Sequence, residues 1–290
     1  MSLLSSVTVR VLESIVPIRR FRRYLLDRLV LRPSRHFLDS GDQRPITFKT
    51  SAGRTQAFER CIGDQARTPD VVVVKFPGTA GRAERASSFP LSLVRSFQDS
   101  LSGKVITWNP PGYGNSEGKA SLTEMVAAAS DMLEQVIENE LTDETVLWLC
   151  GNSLGCNTAL HLASDPRTAR RVDGLVLRNP PPLVPVIKHV ASDYLLGRWI
   201  YPVADSVIPQ MNAHWTAPQV RAPAVFLKSE LDSLVLPELQ QMIIDDYGGD
   251  FRLVSLDGLD HDGIPTEDHE RQIEVALAWL WQQSHVLVAK

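Results

Sequence analysis

The 290-residue sequence lacks several features that would restrict its location and class. It has no run of about 18 or more apolar residues, so it contains no candidate transmembrane helix. Arg10 and Glu13 interrupt its N-terminal apolar stretch, which argues against a signal peptide. The cysteines Cys61, Cys150 and Cys156 form an odd set without a CxxC pair, which favours a reducing compartment. We therefore expect a cytoplasmic protein.

The sequence also lacks a surplus of basic residues. Its 30 Lys and Arg are outnumbered by 34 Asp and Glu, and the formal net charge is -4. Binding to a nucleic-acid backbone depends on many basic contacts, so we expect no nucleic-acid partner. None of the seven histidines has HExxH or other metal-ligand spacing, so we expect no metal. With 43% hydrophobic residues, the chain is predicted to fold around a substantial core.

Residues 1–36 differ from the rest because they combine many arginines with helical spacing of apolar residues. Glu13 and Asp27 are the two acidic residues of this segment, against eight arginines: Arg10, Arg19, Arg20, Arg22, Arg23, Arg28, Arg32 and Arg35. One interpretation is a basic amphipathic helix in peripheral contact with the anionic inner face of a membrane. The other is a helix packed on the domain with its arginines in water.

From residue 45 onward, strand-like and helix-like segments alternate, as in a parallel sheet covered by helices on both faces. We place the domain at 37–290. Its first two strands are predicted to form a hairpin. Helices are predicted from the capping box of Ser121 and Glu124 to about 141, at 154–163 and at 268–281. Strands are predicted at 46–49, 55–60, 71–76, 105–108, 145–150, 174–177, 224–228 and 251–256.

The stretch at about 179–220 breaks this alternation. It is too long for a plain connection and is predicted to be a small cap insertion. It contains three consecutive prolines and the aromatic residues Tyr194, Trp199, Tyr201 and Trp215. These aromatic side chains would either line a partly apolar substrate pocket or pack the cap on the core.

The pattern Gly151-Asn152-Ser153-Leu154-Gly155 lies between a predicted strand and a predicted helix. This is the context of a nucleophile elbow, in which a tight turn exposes the serine hydroxyl. The glycines leave room for the crossing chain, and the helix N-terminus favours developing negative charge. We predict Ser153 as the nucleophile.

A serine nucleophile needs a base, and the base needs a carboxylate that orients it. Asp232 follows the strand at 224–228 and His261 follows the strand at 251–256, so both should lie at the edge of the sheet where Ser153 lies. We predict His261 as the general base and Asp232 as its partner, with Glu230 as the nearest rival. Cys156 falls inside the helix after Ser153, where packing is the expected role.

The oxyanion that forms during attack needs two backbone donors. The N–H of Leu154, directly after the nucleophile, is one candidate. The other should come from the turn at 77–81, where we select Thr79. This turn lacks the GK[ST] ending of a phosphate-binding loop, so we expect no nucleotide cofactor.

Together these residues resemble the α/β-hydrolase superfamily, in particular its ABHD-type and serine-aminopeptidase-like branch. The resemblance covers about residues 33–282 and rests on FPGTAG at 76–81, NPPGYGNSEG at 109–118, GNSLG at 151–155, and Asp232 with His261. It implies an eight-stranded, mostly parallel sheet, serine acyl transfer and no cofactor, with NPPGYGNSEG supporting the site. Relatives commonly carry His-Gly where this chain has Pro77-Gly78, so the bracing histidine is absent here.

The resulting functional hypothesis is a serine hydrolase that cleaves carboxylic esters or thioesters of a small-molecule acyl substrate through an acyl-enzyme on Ser153. A peptidase or amidase would use the same residues and would need an acidic anchor for a free amino group. Asp193 and Asp205 in the cap are candidates for that anchor. A non-catalytic binding protein on a hydrolase fold is the third alternative.

Overall fold

The computed structural model describes residues 18–64, 67–94 and 101–288. These residues contain one sheet of eight strands, which confirms the predicted α/β-hydrolase fold. Its strands are β1 (Arg44–Thr50), β2 (Gly53–Ile62), β3 (Val71–Phe76), β4 (Gly103–Trp108), β5 (Val146–Asn152), β6 (Gly174–Arg178), β7 (Ala224–Ser229) and β8 (Phe251–Leu256).

The strand order is β1-β2-β4-β3-β5-β6-β7-β8. The predicted opening hairpin is confirmed, since β1 pairs antiparallel with β2 and Thr50 lies opposite Gly53. Strand β2 also pairs antiparallel with β4. All further pairings, from β4 through β3 to β8, are parallel. The carboxyl ends of β5, β7 and β8 therefore lie at one edge, which is where ligands bind in open α/β sheets.

Helices cover both faces of the sheet. We number them α1 (residues 18–30), α2 (Leu122–Glu140), α3 (Leu154–Ser164), α4 (Leu183–Ser192), α5 (Tyr201–Ala204), α6 (Ala213–Thr216), α7 (Pro237–Asp245) and α8 (Glu267–Val288). The predicted capping box at α2 is present, because the Ser121 side chain accepts a hydrogen bond from the Glu124 N–H at 3.1 Å. No helix in the described ranges is long and apolar enough to span a bilayer.

The position of β3 between two cores explains why its sequence is almost continuously apolar. Val72, Val74 and Phe76 enter the core that contains α2 and α3, whereas Val71 and Val73 enter the core that contains α8. Alternate side chains of a strand point to opposite faces, so a strand covered on both sides needs apolar residues at every position.

The residues between β6 and β7 form α4, α5 and α6 with short 3-10 turns between them. The sequence did not predict α4, whose residues include Pro185. Proline is tolerated in the first turn of a helix, where its missing N–H has no intrahelical partner. This segment lies at the carboxyl edge of the sheet and includes the residues predicted as a cap.

Helix α1 contacts the main core through part of its surface. Leu26 and Leu31 are buried in the same core as β3, and the Oδ1 of Asp27 accepts a hydrogen bond from the Leu122 N–H at 2.9 Å. The five arginines of α1 are exposed. The packed interpretation therefore applies to one face of α1, and the membrane interpretation remains a prediction.

Asp173 is a buried carboxylate that links β5 to β6. It is 7% exposed, and its Oδ2 accepts a hydrogen bond from the Leu147 N–H at 2.8 Å. Burial raises the pKa of Asp173 to about 6, above its ordinary value near 4. The folded state therefore holds the proton more tightly than the unfolded state.

We expect the free energy of unfolding to fall by about 2–3 kcal/mol, relative to Asp173→Asn, as the pH rises from about 4 to 6. Above that range both states are ionised and the difference stays constant. Denaturant unfolding at several pH values measures this, with the fully exposed Asp143→Asn as the control. If the free energies of unfolding of the wild type and Asp173→Asn change identically with pH, burial does not raise the pKa of Asp173.

Candidate active site

Ser153 lies in a strained turn between β5 and α3. Its φ of 50° and ψ of -123° are rarely adopted by residues other than glycine, and it is 8% exposed. A Cβ atom on Gly155 would lie 1.9 Å from the Phe76 carbonyl oxygen, and one on Gly151 would lie 2.7 Å from the Cys156 nitrogen. The two glycines are therefore required by close approaches of the backbone.

The side chains of Ser153, His261 and Asp232 form a continuous hydrogen-bonded chain. The distance between Ser153 Oγ and His261 Nε2 is 3.0 Å. On the other side of the ring, His261 Nδ1 lies 2.6 Å from Asp232 Oδ2. With Nδ1–H donating to the carboxylate, Nε2 is free to accept the serine proton. The structure thus brings together three residues that are far apart in sequence.

Asp232 has a complete set of hydrogen-bond donors around it. Its Oδ1 accepts from the N–H groups of Leu234 at 3.0 Å and Val235 at 2.8 Å. Its Oδ2 also accepts from the Gln240 side-chain amide at 3.0 Å. The rival candidate Glu230 is exposed and accepts from the Gly258 N–H at 2.8 Å instead. Of these two carboxylates, Asp232, the predicted partner, is therefore the one that contacts His261.

Asn179 is a site residue that the sequence did not reveal. It is fully buried after the end of β6, has a positive φ of 51°, and joins the end of β7 to the loop that carries the histidine. Its Nδ2 donates to the His261 carbonyl at 3.0 Å, and its Oδ1 accepts from the Ser229 N–H at 3.0 Å. Asparagine tolerates this backbone region better than most residues, which is a weak signal in sequence.

Thr79 and Leu154, the predicted oxyanion donors, line the same cleft as Ser153 and His261. Neither amide donates to a backbone carbonyl among the described residues. Leu154 is the first residue of α3, where an N–H has no intrahelical acceptor. Two N–H groups without a backbone acceptor among the described residues therefore lie in the segments beside the serine hydroxyl.

Tyr113 braces the Thr79 turn, which lacks the histidine common in similar sequences. The Tyr113 hydroxyl donates to the Thr79 carbonyl at 2.7 Å and accepts from the Arg32 N–H at 3.1 Å. Burial raises the pKa of Tyr113 to about 12, so its hydroxyl keeps its proton for this bond. Arg32 N–H also approaches the Thr79 carbonyl at 3.3 Å. The NPPGYGNSEG loop thus supports the turn directly.

The cysteines near the site are packed. Cys150 and Cys156 are buried and free, and burial raises the pKa of both thiols. The Cys156 thiol also lies 3.1 Å from the Arg178 carbonyl oxygen, to which it donates. A buried thiol that keeps its proton is a poor nucleophile. Within the described residues, no group of three His, Cys, Asp or Glu side chains could hold a metal ion.

A cleft of about 770 Å³ opens above Ser153. Its wall is mainly apolar and includes Leu29, Val30, Pro181, Leu183, Val186, Ile187, Val190, Ala191, Tyr194, Ile200, Leu234 and Val235. Of the four cap aromatics, Tyr194 alone lines the cleft, while Trp199 and Trp215 are largely exposed. Trp199 and Trp215 therefore neither line the pocket nor fill the core.

The two candidate anchors for an amino group do not line this cleft. Asp205 forms an ion pair with Lys188 at 2.6 Å, and Asp193 is exposed. Asp262 is the acidic residue among the described lining residues.

Comparisons with solved structures agree with this architecture. An esterase of Pyrococcus furiosus is similar with a TM-score of 0.63 and 12% identity, covering 87% of this chain and 98% of that chain. Acetyl xylan esterase 1 of Thermoanaerobacterium has a TM-score of 0.63 and 11% identity, covering 91% and 93%. An alpha-beta hydrolase of Vibrio vulnificus has a TM-score of 0.61 and 19% identity, covering 84% and 81%. These likenesses describe the fold.

Sequence comparison gives the family. The chain is 26% identical over 153 residues to the multifunctional-autoprocessing repeats-in-toxin of Vibrio vulnificus, and the match covers 51% of this chain. It spans only 3% of the length of that curated relative. The family model described as alpha/beta hydrolase fold matches residues 71–224. The chain therefore belongs to the α/β-hydrolase fold family.

Proposed function

We propose that the protein is a serine hydrolase that cleaves carboxylic ester or thioester bonds through an acyl-enzyme on Ser153. The observation that carries this proposal is the chain of hydrogen bonds from Ser153 Oγ at 3.0 Å to His261 and from His261 at 2.6 Å to Asp232. A serine hydroxyl is a weak nucleophile, and an adjacent imidazole held by a carboxylate makes it reactive.

The mechanism has two halves. In the first, His261 Nε2 accepts the hydroxyl proton as Ser153 Oγ attacks the substrate carbonyl. The C–O or C–S bond then breaks, and His261 returns the proton to the leaving alcohol or thiol. In the second, a water molecule gives a proton to His261 and attacks the acyl-enzyme carbonyl; the bond from that carbon to Ser153 Oγ breaks, His261 returns the proton to Oγ, and the carboxylic acid leaves. Asp232 holds the imidazole in the required tautomer throughout.

Negative charge develops on the carbonyl oxygen in both halves. The Thr79 and Leu154 amides, which lack backbone acceptors among the described residues, are our candidates for its donors. Donors that are already oriented cost no reorganisation when the charge forms, so each is worth about 2.7–4 kcal/mol in related sites.

The cleft favours an ester or thioester with an apolar acyl group. Its wall is predominantly aliphatic, and such linings bind apolar ligands. An aminopeptidase would need a carboxylate that receives a free amino group; neither Asp193 nor Asp205 lies in the cleft, and the lining carboxylate Asp262 is exposed to solvent. Two of the structurally similar proteins are esterases, which also supports this choice.

We expect the wild type to hydrolyse p-nitrophenyl esters and matching thioesters much faster than aminoacyl amides. Ser153→Ala should lower kcat by at least about 10⁴-fold, because it removes the nucleophile. Ser164→Ala, at the far end of the helix that follows Ser153 and outside the cleft, should change kcat less than about twofold. A wild type without hydrolytic activity, or an active Ser153→Ala, contradicts the proposal.

The two carboxylates allow a matched test of the acid. Asp232→Asn should lower kcat by about 10⁴-fold, because an amide stabilises the wrong tautomer of His261. Glu230→Gln, only two residues away, should keep kcat within about twofold, since Glu230 bonds to the Gly258 N–H rather than to His261. Equal losses in the two variants would contradict the assignment of Asp232.

Tyr113→Phe tests whether the Thr79 turn is held in place for catalysis. We expect kcat to fall roughly 3- to 30-fold, because the turn loses the 2.7 Å bond to its carbonyl and its amide becomes less well aimed. The control is Tyr247→Phe, which also removes a buried hydroxyl bonded to a backbone carbonyl at 2.7 Å, but away from the cleft. Both changes should cost about 1 kcal/mol of stability, and an equal kcat in both would refute a positioning role.

A further inference from the structure

Exposed apolar side chains form a rim around the mouth of the cleft. Leu29 of α1, Val190 of α4, Tyr194 in the following turn and Leu234 after β7 all line the cleft and are also exposed to solvent. They come from three separate parts of the chain. The mouth is therefore bordered by apolar surface on more than one side.

On the cap side, the apolar surface continues beyond the rim. Tyr194 is followed by Leu195 and Leu196, which are 100% and 69% exposed, and then by Trp199, which is 80% exposed. Single exposed apolar residues are common, but a cluster of large ones beside a binding cleft is typical of an interaction surface. We call residues 194–199 the cap patch.

At the Leu29 part of the rim, α1 presents an apolar stripe. Ile18, Phe21, Leu25 and Leu29 are spaced by three or four residues, so they share one face of the helix. Ile18, Phe21 and Leu29 are exposed. The stripe spans about 16 Å along the helix, and its Leu29 end is part of the rim. The apolar surface thus extends outward from the cleft mouth.

The charge of α1 accompanies this stripe. Residues 18–30 contain five exposed arginines, Arg19, Arg20, Arg22, Arg23 and Arg28. Asp27 is the acidic residue of this helix, and its carboxylate is bound to the Leu122 N–H. Since the whole chain has a formal charge of -4, this positive charge is a local concentration. Arginine beside exposed aromatic and aliphatic side chains is the composition of a helix that lies at a membrane surface.

We propose that α1 and the cap patch dock on an anionic lipid bilayer, so that the mouth of the cleft faces the lipid. The inference of a docking surface rests only on the exposed apolar side chains of α1 and the cap patch and on the positive charge of α1. A consequence is that the ester substrate is a lipid that enters the cleft from the bilayer. This consequence rests on the proposed function. An aromatic side chain with an apolar body and a polar tip, such as Trp199 of the cap patch, suits the interfacial region.

Charge favours a bilayer over a second copy of this chain. A symmetric dimer through this surface would place two rows of five arginines against each other, and like charges across an interface are repulsive. Anionic lipid head groups instead offer a continuous surface of opposite charge.

The test measures sedimentation of the full chain carrying Ser153→Ala with vesicles of phosphatidylcholine, with and without phosphatidylserine. Catalysis plays no part in this assay, so its outcome is independent of the proposed function. We expect binding to vesicles that contain phosphatidylserine, weakening as salt is added. No binding to these vesicles would overturn the proposal.

Two sets of variants identify the surface. Arg19→Gln/Arg22→Gln/Arg23→Gln should weaken binding on the order of 100-fold, because each arginine near an anionic surface contributes about a fivefold factor. Arg170→Gln, an exposed arginine away from the cleft, should leave binding within about twofold. If the triple variant binds like the parent, the arginines of α1 do not form the contact.

The apolar contribution is tested by Leu195→Ser/Trp199→Ser, which should weaken binding at least about 10-fold. Trp215→Ser is the matched control, since Trp215 is also exposed but lies outside the cap patch. Light scattering on the same samples measures self-association. A dimer that Leu195→Ser/Trp199→Ser abolishes, without vesicle binding, would assign the surface to a second copy and overturn the bilayer.

The arginine triple variant and Leu195→Ser/Trp199→Ser, each in a chain that keeps Ser153, then test whether docking affects catalysis. They should hydrolyse soluble p-nitrophenyl butyrate at the wild-type rate and a long-chain ester embedded in anionic vesicles at least about 10-fold more slowly. Docking without hydrolysis of any ester would refute the proposed function and leave the bilayer surface intact. Equal loss on both substrates would refute the lipid-entry consequence.

Discussion

The candidate site depends on the position of one imidazole ring between a hydroxyl and a carboxylate. His261 Nε2 lies 3.0 Å from Ser153 Oγ, and His261 Nδ1 lies 2.6 Å from Asp232 Oδ2. The three residues follow three strands that end at the same edge of the sheet. Each contact constrains the other, because the proton on Nδ1 leaves Nε2 free to accept the proton of the hydroxyl. Strain at Ser153, with its φ of 50°, is retained because the surrounding backbone contacts hold the turn.

Residues that do not touch the reacting atoms hold this arrangement in place. Asn179 ties the loop of His261 to the end of β7, and Tyr113 ties the Thr79 turn to the segment that follows α1. Such supports matter because small displacements of a catalytic group reduce rate steeply. The turn that lacks a bracing histidine is thus held by a tyrosine from the NPPGYGNSEG loop.

The sequence was sufficient to predict the strands and the candidate site residues, because both depend on local patterns. A β-branched run such as residues 71–76 and a serine between two glycines are visible without coordinates. Sequence position favoured Asp232 over Glu230, but both follow the same strand, and the contact with His261 is seen only in the coordinates. Asn179 was missed for the same reason, since its role consists of two contacts that are distant in sequence. Helix α4 was missed because three prolines precede it and Pro185 lies within it.

The most direct test of the central claim is a crystal structure of the wild type after reaction with a fluorophosphonate. We expect phosphorus bonded to Ser153 Oγ, with the phosphonyl oxygen roughly 2.7–3.1 Å from the nitrogens of Thr79 and Leu154. An unreacted folded protein, a label on another residue, or a phosphonyl oxygen directed away from both amides would contradict it.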